Sequence, residues 1–351
     1  VAGHIKEVKS VIKIAICVDH NDWHGKFRQF IKLHARRDDL IMEFVRINHD
    51  NWMDKLKEFD AVIWKSSNMG PEASGYFKEK IYFIEHYLCK LVVPNYNTIW
   101  HFESKAAQSY IFRLHSVPIP RTVATFDVDN ALALLKETKM PLVVKKSFGA
   151  ASKNVRLIKS ANKMRAYIKT TLCRQMIERI TSRHGRLIAS STKYLVPDII
   201  ERKVRDNNQR CVYWQELVPG NSRDLRITVI GDRYAFAFWR NNRPNDFRAS
   251  GSGNIDYVYP VPIDVVCHCI ALNKKFDFDS MAYDIVFKDG DYKIIEISYG
   301  YIDKAIYNTP GYYCLQDGQL EFNPGHFWPQ ELWAKWLLLR IDQKLGNGHH
   351  A

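Results

Sequence analysis

The sequence predicts an α/β protein, with a doubly wound parallel layer at its N-terminus followed by mixed α+β segments that contain antiparallel hairpins. Two observations carry this. In the first hundred residues apolar strand-like runs alternate with amphipathic helical ones, which implies parallel strands joined by helical crossovers. Near the C-terminus, Phe278 to Ser298 reads as two apolar strands around Asp289-Gly290, a strong hairpin signal.

The elements follow in order. Val11 to Val18 is an apolar, β-branched run and predicts the first strand; Asp22 opens an amphipathic helix to about Arg37. Met42 to Ile47 and Ala61 to Trp64 read as strands, Tyr76 to Leu88 as a helix and Leu91 to Val93 as a strand. Glu103 to His115 is helical and stops before Val117-Pro118-Ile119-Pro120, whose prolines favour extended backbone. Asp129 to Lys139 is helical, and Pro141 to Lys145 and Val155 to Ile158 are strands around a small-residue loop. Val212 to Val218, Leu225 to Ile230 and Tyr234 to Arg240 are strands, the last two joined at Gly231-Asp232. A helix is expected from Ile263 to Asn273 and another from Pro329 to Ile341, with Trp333 and Trp336 three apart on a core face.

Composition excludes several classes. A chain of 351 residues with 46% hydrophobic and 13% aromatic content is long and apolar enough for substantial cores. No run of about 18 uncharged apolar residues indicates a spanning helix. The start lacks the apolar core of a signal peptide, and seven scattered cysteines suit reduced thiols, so a cytoplasmic protein is expected. Cys267-His268-Cys269 cannot easily converge on one tetrahedral ion and is expected on a helix. The net charge of +13 favours a polyanionic partner. Residues 161–210 hold twelve Lys/Arg against four Asp/Glu and form the most basic segment. No glycine-rich dinucleotide fingerprint follows the first strand.

The chemistry is carried by separated segments. The hairpin places Asp284 and Glu296 on adjacent strands inside apolar runs, and paired carboxylates in such surroundings usually hold a cation. Oxygen ligands suit magnesium, which leans on substrate phosphates. Leu142 to Val155 is strand, lysine, small-residue loop and strand, so Lys145 and a loop containing Gly149 and Ser152 can approach phosphate oxygens. It lacks the Gly-Lys-Ser/Thr ending of a Walker loop. Tyr213 to Val218 ends an apolar strand in a polar edge suited to an adenine, with carboxylates such as Asp224 in reach of a ribose. Arg240 and Arg248 are of the type that meets carboxylate and phosphoryl oxygens, and each taken singly equally suits a solvated surface.

In this order the segments resemble the ATP-grasp superfamily over roughly Glu103 to Tyr301. The resemblance implies an ATP-grasp fold with an N-terminal Rossmann-like parallel-sheet subdomain at 1–100, a central subdomain at 101–215 with a lid loop and the basic insertion 161–210, and a C-terminal subdomain at 216–351. It implies ATP and Mg²⁺ as cofactors, with Lys105 and Lys145 as phosphate lysines and Gly149 and Ser152 in the lid. Gln215, Glu216, Leu217 and Val218 would form the adenine hinge, Asp224 a ribose contact, and Asp284 and Glu296 the magnesium carboxylates. Ser298 stands where the family has an asparagine ligand. The activity implied is ligation of a carboxylate to an amine through an acyl phosphate, with Arg226, Arg240 and Arg248 catalytic.

Phe247 to Gly253, Glu296 to Gly300 and Thr309 to Tyr313 further resemble members associated with bacterial polysaccharide biosynthesis. That resemblance implies small-molecule carboxylate and amine substrates, one of them an acidic sugar or glycan precursor, with tyrosines near Gly300 and Gly311 in loops that could stack on a ring. The competing expectations are a ligase acting on peptide or protein tails, a non-catalytic ATP-binding module, and a polyanion-binding protein; nucleic acid is not an expected partner.

Overall fold

A computed structural model describes residues 11–20, 22–36, 38–66, 71–147, 155–172 and 211–346. Gly149, Ser152 and most of the basic segment, 173–210, lie outside the described residues. The architecture is α/β, as the alternation predicted, with one parallel and two antiparallel sheets.

The first sheet is built from β1 (Ile12–Val18), β2 (Leu40–Arg46), β3 (Ala61–Ile63) and β4 (Leu91–Val93), all parallel in the order β2-β1-β3-β4. Helices α1 (Trp23–His34), α2 (Trp52–Leu56) and α3 (Pro71–His86) make the crossovers. The strand β1 is almost wholly buried, which explains its unbroken apolar run. A short α4 (Tyr96–Ile99) starts at Asn95, whose Oδ1 accepts from the Thr98 N–H at 3.0 Å.

The second sheet has the order β5-β8-β6-β7, from β5 (Thr122–Thr125), β6 (Leu142–Lys145), β7 (Val155–Ile158) and β8 (Val212–Glu216). It carries α5 (Lys105–Leu114), α6 (Val128–Lys136) and a helix α7 at 161–172. Side-chain oxygens of Ser104 and Asp127 cap α5 and α6, accepting from the N–H groups of Ala107 and Asn130. Its core is its own, with Trp214, Leu142, Met164 and Ile168 at the centre.

The third sheet is antiparallel, with the main order β13-β12-β9-β10-β14-β15 and β11 (Ile255–Asp256) paired to β10. Its strands are β9 (Arg223–Ile230), β10 (Tyr234–Asn241), β12 (Ser280–Lys288), β13 (Asp291–Ser298), β14 (Gly311–Gln316) and β15 (Gln319–Pro324). Helix α8 (Ile263–Phe276) covers one face, burying Cys269 and leaving Cys267 half-buried. A short α9 (Asp303–Tyr307) and the long α10 (Pro329–Gly346) close the chain.

Core continuity divides the molecule unevenly. The first and third sheets share one continuous apolar core, into which α10 inserts Trp333 and Trp336. Asp279, only 1% exposed, ties the parts together: its Oδ2 accepts from Asn95 N at 2.6 Å and its Oδ1 from Trp336 Nε1 at 2.6 Å. The second sheet is attached to this body through a separate core, so a cleft forms between them.

Tyr299 and Tyr301 lie in the loop after β13 as expected, but they are packed rather than open to a substrate ring, and Tyr312 is in a strand. Tyr299 is fully buried against Phe77, Phe102 and Trp333, Tyr301 accepts from Trp333 Nε1, and Tyr312 lies on β14. Glycine at 311 reflects the tight β14 and β15 pairing, where a Cβ would collide with the Asn323 carbonyl, rather than an open substrate loop.

Candidate active-site cleft

The central geometry depends on a strand defect. Beside the Asp289-Gly290 turn, both residues at positive φ, Lys288 pairs with Asp291 and the register continues to Ile285 opposite Ile294. Continued unbroken, it would set Asp284 against Ile295 and turn Glu296 to the other face, because side chains alternate with period two. The register shifts between Asp284 and Ile285, so Ile295 is passed over and Asp284 faces Glu296 directly. The bulge thereby puts both carboxylates on one face. It also frees the Ile295 carbonyl, which accepts from Lys145 Nζ at 2.9 Å.

The neighbouring strands surround this pair with charge. On β9, Arg226 lies opposite Asp284, and Asp224, two residues earlier, lies opposite Arg240 of β10. Arg226 grips Asp284 with two hydrogen bonds, Nε to Oδ1 at 2.8 Å and Nη2 to Oδ2 at 2.9 Å. Arg240 grips Asp224 in the same way, at 2.7 and 2.6 Å, and its Nη2 reaches Asp284 Oδ2 at 2.9 Å. Lys105, at the start of α5, sits 3.2 Å from Glu296 Oε1.

Electrostatics follow from burial and these contacts. Burial alone would push Asp284 up, but the guanidiniums of Arg226 and Arg240 outweigh it and hold the carboxyl down at about 2. Burial drives Lys145 down to about 8, resisted by Glu296 and reinforced by Lys105. The cluster sets Lys105, Lys145, Arg226 and Arg240 against Asp224, Asp284 and Glu296, leaving one net positive charge when all are ionised.

These groups lie along and beneath a cleft with an empty volume of ≈ 900 Å³, its open mouth included. Its walls bring together Lys145, Gln215, Glu216, Leu217, Val218, Asp224, Arg248, Asp284 and Glu296 of the expected set. Lys105, Arg226 and Arg240 stand behind that surface and reach it through their carboxylate partners. Ser298 is a row further along, opposite Ala282; its hydroxyl donates to the Gly300 carbonyl at 2.8 Å and accepts from the Gly300 N–H at 3.2 Å.

The hinge-like stretch after β8 is held from its outer edge. Glu216 N donates to the Arg121 carbonyl and Leu217 N to the Pro141 carbonyl, while Gln215 Nε2 donates to Thr122 Oγ1. Arg248 is clamped by Asp246, with its Nη2 2.6 Å from Oδ2, and its Nη1 approaches the Val155 carbonyl at 3.5 Å. The guanidinium therefore touches both rims of the cleft.

Phe247 and Ser250, from the stretch singled out in the sequence, also line the walls, as do Asn221, Arg223 and Asn242, which sequence reasoning missed. Asn221 fastens β12 to the hinge end: its amide donates to the Phe287 carbonyl and accepts from the Phe287 N–H, each at 2.9 Å. The signal was its place in Pro219-Gly220-Asn221-Ser222, directly after the hinge.

The residues fit a magnesium–nucleotide. No group of three or more His, Cys, Asp or Glu side chains able to hold a metal occurs among the described residues. Two opposed carboxylates beside lysines instead suit an ion that completes its shell with phosphate oxygens. The net positive charge and the apolar wall of Val143, Leu217, Val218 and Val286 match the two ends of such a ligand.

No family model matches the chain. It is 24% identical over 222 residues to the α-aminoadipate–LysW ligase LysX of Saccharolobus solfataricus, a match spanning 63% of this chain and 66% of that relative. Among solved structures, D-cycloserine synthetase DcsG superposes with a TM-score of 0.59 at 13% identity, covering 94% of this chain and 99% of the other. A RiPP-associated ATP-grasp ligase of Chryseobacterium gregarium, in complex with ADP and a leader and core peptide, gives 0.57 at 15% identity, covering 95% and 97%. The parallel sheet, the two antiparallel sheets and the cleft between them thus make up the ATP-grasp fold.

Proposed function

We propose that the chain is an ATP-dependent ligase that joins a carboxylate to an amine in this cleft and releases ADP and phosphate. The observation that carries the reading is the bulge that opposes Asp284 and Glu296 and points Lys145 at the strand between them. Asp284 and Glu296 would hold Mg²⁺, which supplies charge neutralisation on the polyphosphate. Lys145 and Lys105 add positive charge on the same phosphates, and Gln215 to Val218 flank the adenine. Asp224 lies at the wall where a ribose would sit.

The chemistry balances without a protein nucleophile. A substrate carboxylate oxygen attacks the γ-phosphorus and the bond to ADP breaks, giving an acyl phosphate. An amine nitrogen attacks the acyl carbon, phosphate leaves, and the amine proton passes to solvent or phosphate. Arg248 is the guanidinium placed to meet the new phosphoryl oxygens at the rim. Arg226 and Arg240 fix Asp284 and lend positive potential to the tetrahedral oxyanion. Ser298, tied into its own turn, leaves room for one metal ion rather than two.

Substrate identity rests on different supports. The relatives' names bring amino-acid and peptide ligases, while the association with polysaccharide biosynthesis and an acidic sugar rests on the loop motifs alone. No helix among the described residues is long and apolar enough to cross a membrane. The test is ADP release in an acceptor screen of amino acids, peptides and uronates. Release dependent on both a carboxylate and an amine, and lost in Glu296→Gln, supports the reading; nucleotide binding without release under any pair refutes the catalytic part.

A further inference from the structure

The β2 edge of the parallel sheet is unguarded. An exposed strand edge pairs with other chains unless it is short, bulged or interrupted by proline or lysine. Other edges of the molecule have such devices. β4 has three residues and runs into Pro94, β13 is bulged and carries Lys293, and β15 ends at Pro324. β2 has none of them: its seven residues, Leu40–Arg46, run in unbroken register with β1, and among the described residues no strand pairs with its other side. Its apolar side chains are also open, Ile41 being 42% and Phe44 43% exposed.

One hydrogen bond fixes which backbone groups face outward. The Asp39 carbonyl accepts from the Ile12 N–H at 2.9 Å, so the odd-numbered residues of this stretch turn their backbone groups to β1. The even-numbered residues, Leu40, Met42 and Phe44, turn theirs away from it. Exposed Asp38 precedes this row and exposed Arg46 ends it. The side chains of the row share one face of the sheet, because faces alternate along a strand. Helix α1 holds Phe44 on that face, with the His24 ring centre 5.5 Å and the Arg28 guanidinium carbon 5.1 Å from the Phe44 ring centre. The row therefore reads acid, three apolar residues, base, and is complementary to its own reverse.

We propose that β2 pairs antiparallel with β2 of a second copy of this chain, across a two-fold axis at Met42, and joins the two parallel sheets into one. A two-fold contact needs a surface that complements itself, and this row supplies one. Met42 meets its own counterpart, Leu40 meets the partner's Phe44, and Asp38 meets the partner's Arg46 on both sides of the axis. The Met42 pair and the Leu40–Phe44 pairs each exchange both backbone hydrogen bonds, because all of these residues point outward. Charge selects this register over its neighbour. An axis at Glu43 would keep the backbone bonding but set two carboxylates directly opposite each other, which is destabilising. The axis at Met42 sets each Glu43 opposite Ile41 instead. The pairing does not depend on the ligase reading.

The test is sedimentation velocity of the full chain over a wide range of concentration. The expected result is a reversible dimer. Met42→Lys places two ammonium groups on the axis and should weaken the dimer about tenfold or more. Asp38→Arg should weaken it as well, and Asp38→Arg combined with Arg46→Asp should restore it; the restored dimer also shows that this pair of substitutions leaves the strand folded. Oxidative cross-linking reads the register. Cα atoms of a hydrogen-bonded antiparallel pair lie about 5.5 Å apart, within disulfide range, so Met42→Cys should give a covalent dimer and Ile41→Cys should not. A wild type that stays monomeric at every concentration overturns the proposal, and leaves the edge to a strand of a different protein. A dimer indifferent to both Met42→Lys and Asp38→Arg, or one that cross-links through Ile41→Cys and not Met42→Cys, overturns it too.

Discussion

Replacing Arg240 with methionine tests the charge network beneath the cleft. The Arg240 side chain is 7% exposed and makes two hydrogen bonds to Asp224 and one to Asp284. Methionine fills much of its volume but leaves Asp224, 5% exposed, without its counter-ion, whereas Asp284 keeps Arg226. Removing one partner of a buried pair costs about 3–5 kcal/mol. With an unfolding entropy of about 0.7 kcal/mol/K for 351 residues, the midpoint should fall by about 4–7 °C. The loss should be pH-dependent in a fixed direction. Burial already pushes Asp224 up against the pull of Arg240, and without Arg240 it rises further. The folded variant then binds a proton more tightly than the unfolded chain, so its deficit shrinks as pH falls from 7 toward 4. Adding Asp224→Asn should recover most of the loss at pH 7. Thermal and urea unfolding at several pH values measure this. A deficit below about 1 kcal/mol, or one that stays constant with pH, would refute the network as described.

Three further outcomes follow from the same reasoning. Lys145, driven down to about 8, is less protonated in the folded chain than in the unfolded one between about pH 8 and 10; wild-type stability should therefore gain roughly 2–3 kcal/mol across that window relative to Lys145→Met, and urea titrations that run parallel would contradict it. Asp279, raised to about 6 by burial despite Arg340 and Trp336, holds its proton longer when folded, so its contribution declines as pH rises from about 4 to 6. Asp279→Asn removes that slope yet costs about 1–3 kcal/mol at pH 7, because an amide NH₂ must face one of the donors Asn95 N or Trp336 Nε1; an unchanged midpoint would show that the latch is idle. Gly231→Ala sets a Cβ against the Trp336 ring at a φ of +61°, so its midpoint should fall by several degrees, and wild-type unfolding would mean that α10 shifts freely.

The fold was legible where local chemistry acts alone. Asp289-Gly290 announced its hairpin because those two residues accept positive φ, and the buried β1 announced itself by an unbroken apolar run. The same Asp-Gly chemistry, with both residues at positive φ, joins β14 to β15 at Asp317-Gly318. The bulge at Ile295 left no mark: it has neither glycine nor proline, and it arises from fitting two strands of fixed face. The pairing of Arg226 and Arg240 with Asp284 and Asp224 depends on the registers of β9, β10 and β12, which spacing within one strand does not reveal. Sequence therefore named the charged residues of the cleft, and only the assembled sheet showed which of them neutralise one another.

The most direct test of the cleft as a magnesium–nucleotide site is thermal unfolding with ADP, with and without Mg²⁺, in wild type and Glu296→Gln. Ligand at about a hundred times its dissociation constant stabilises by roughly 2.7 kcal/mol, or about 4 °C for this chain. The account predicts that shift in wild type, its dependence on Mg²⁺, and its loss in Glu296→Gln. No shift at saturating ADP, or an equal shift in the variant, would contradict it.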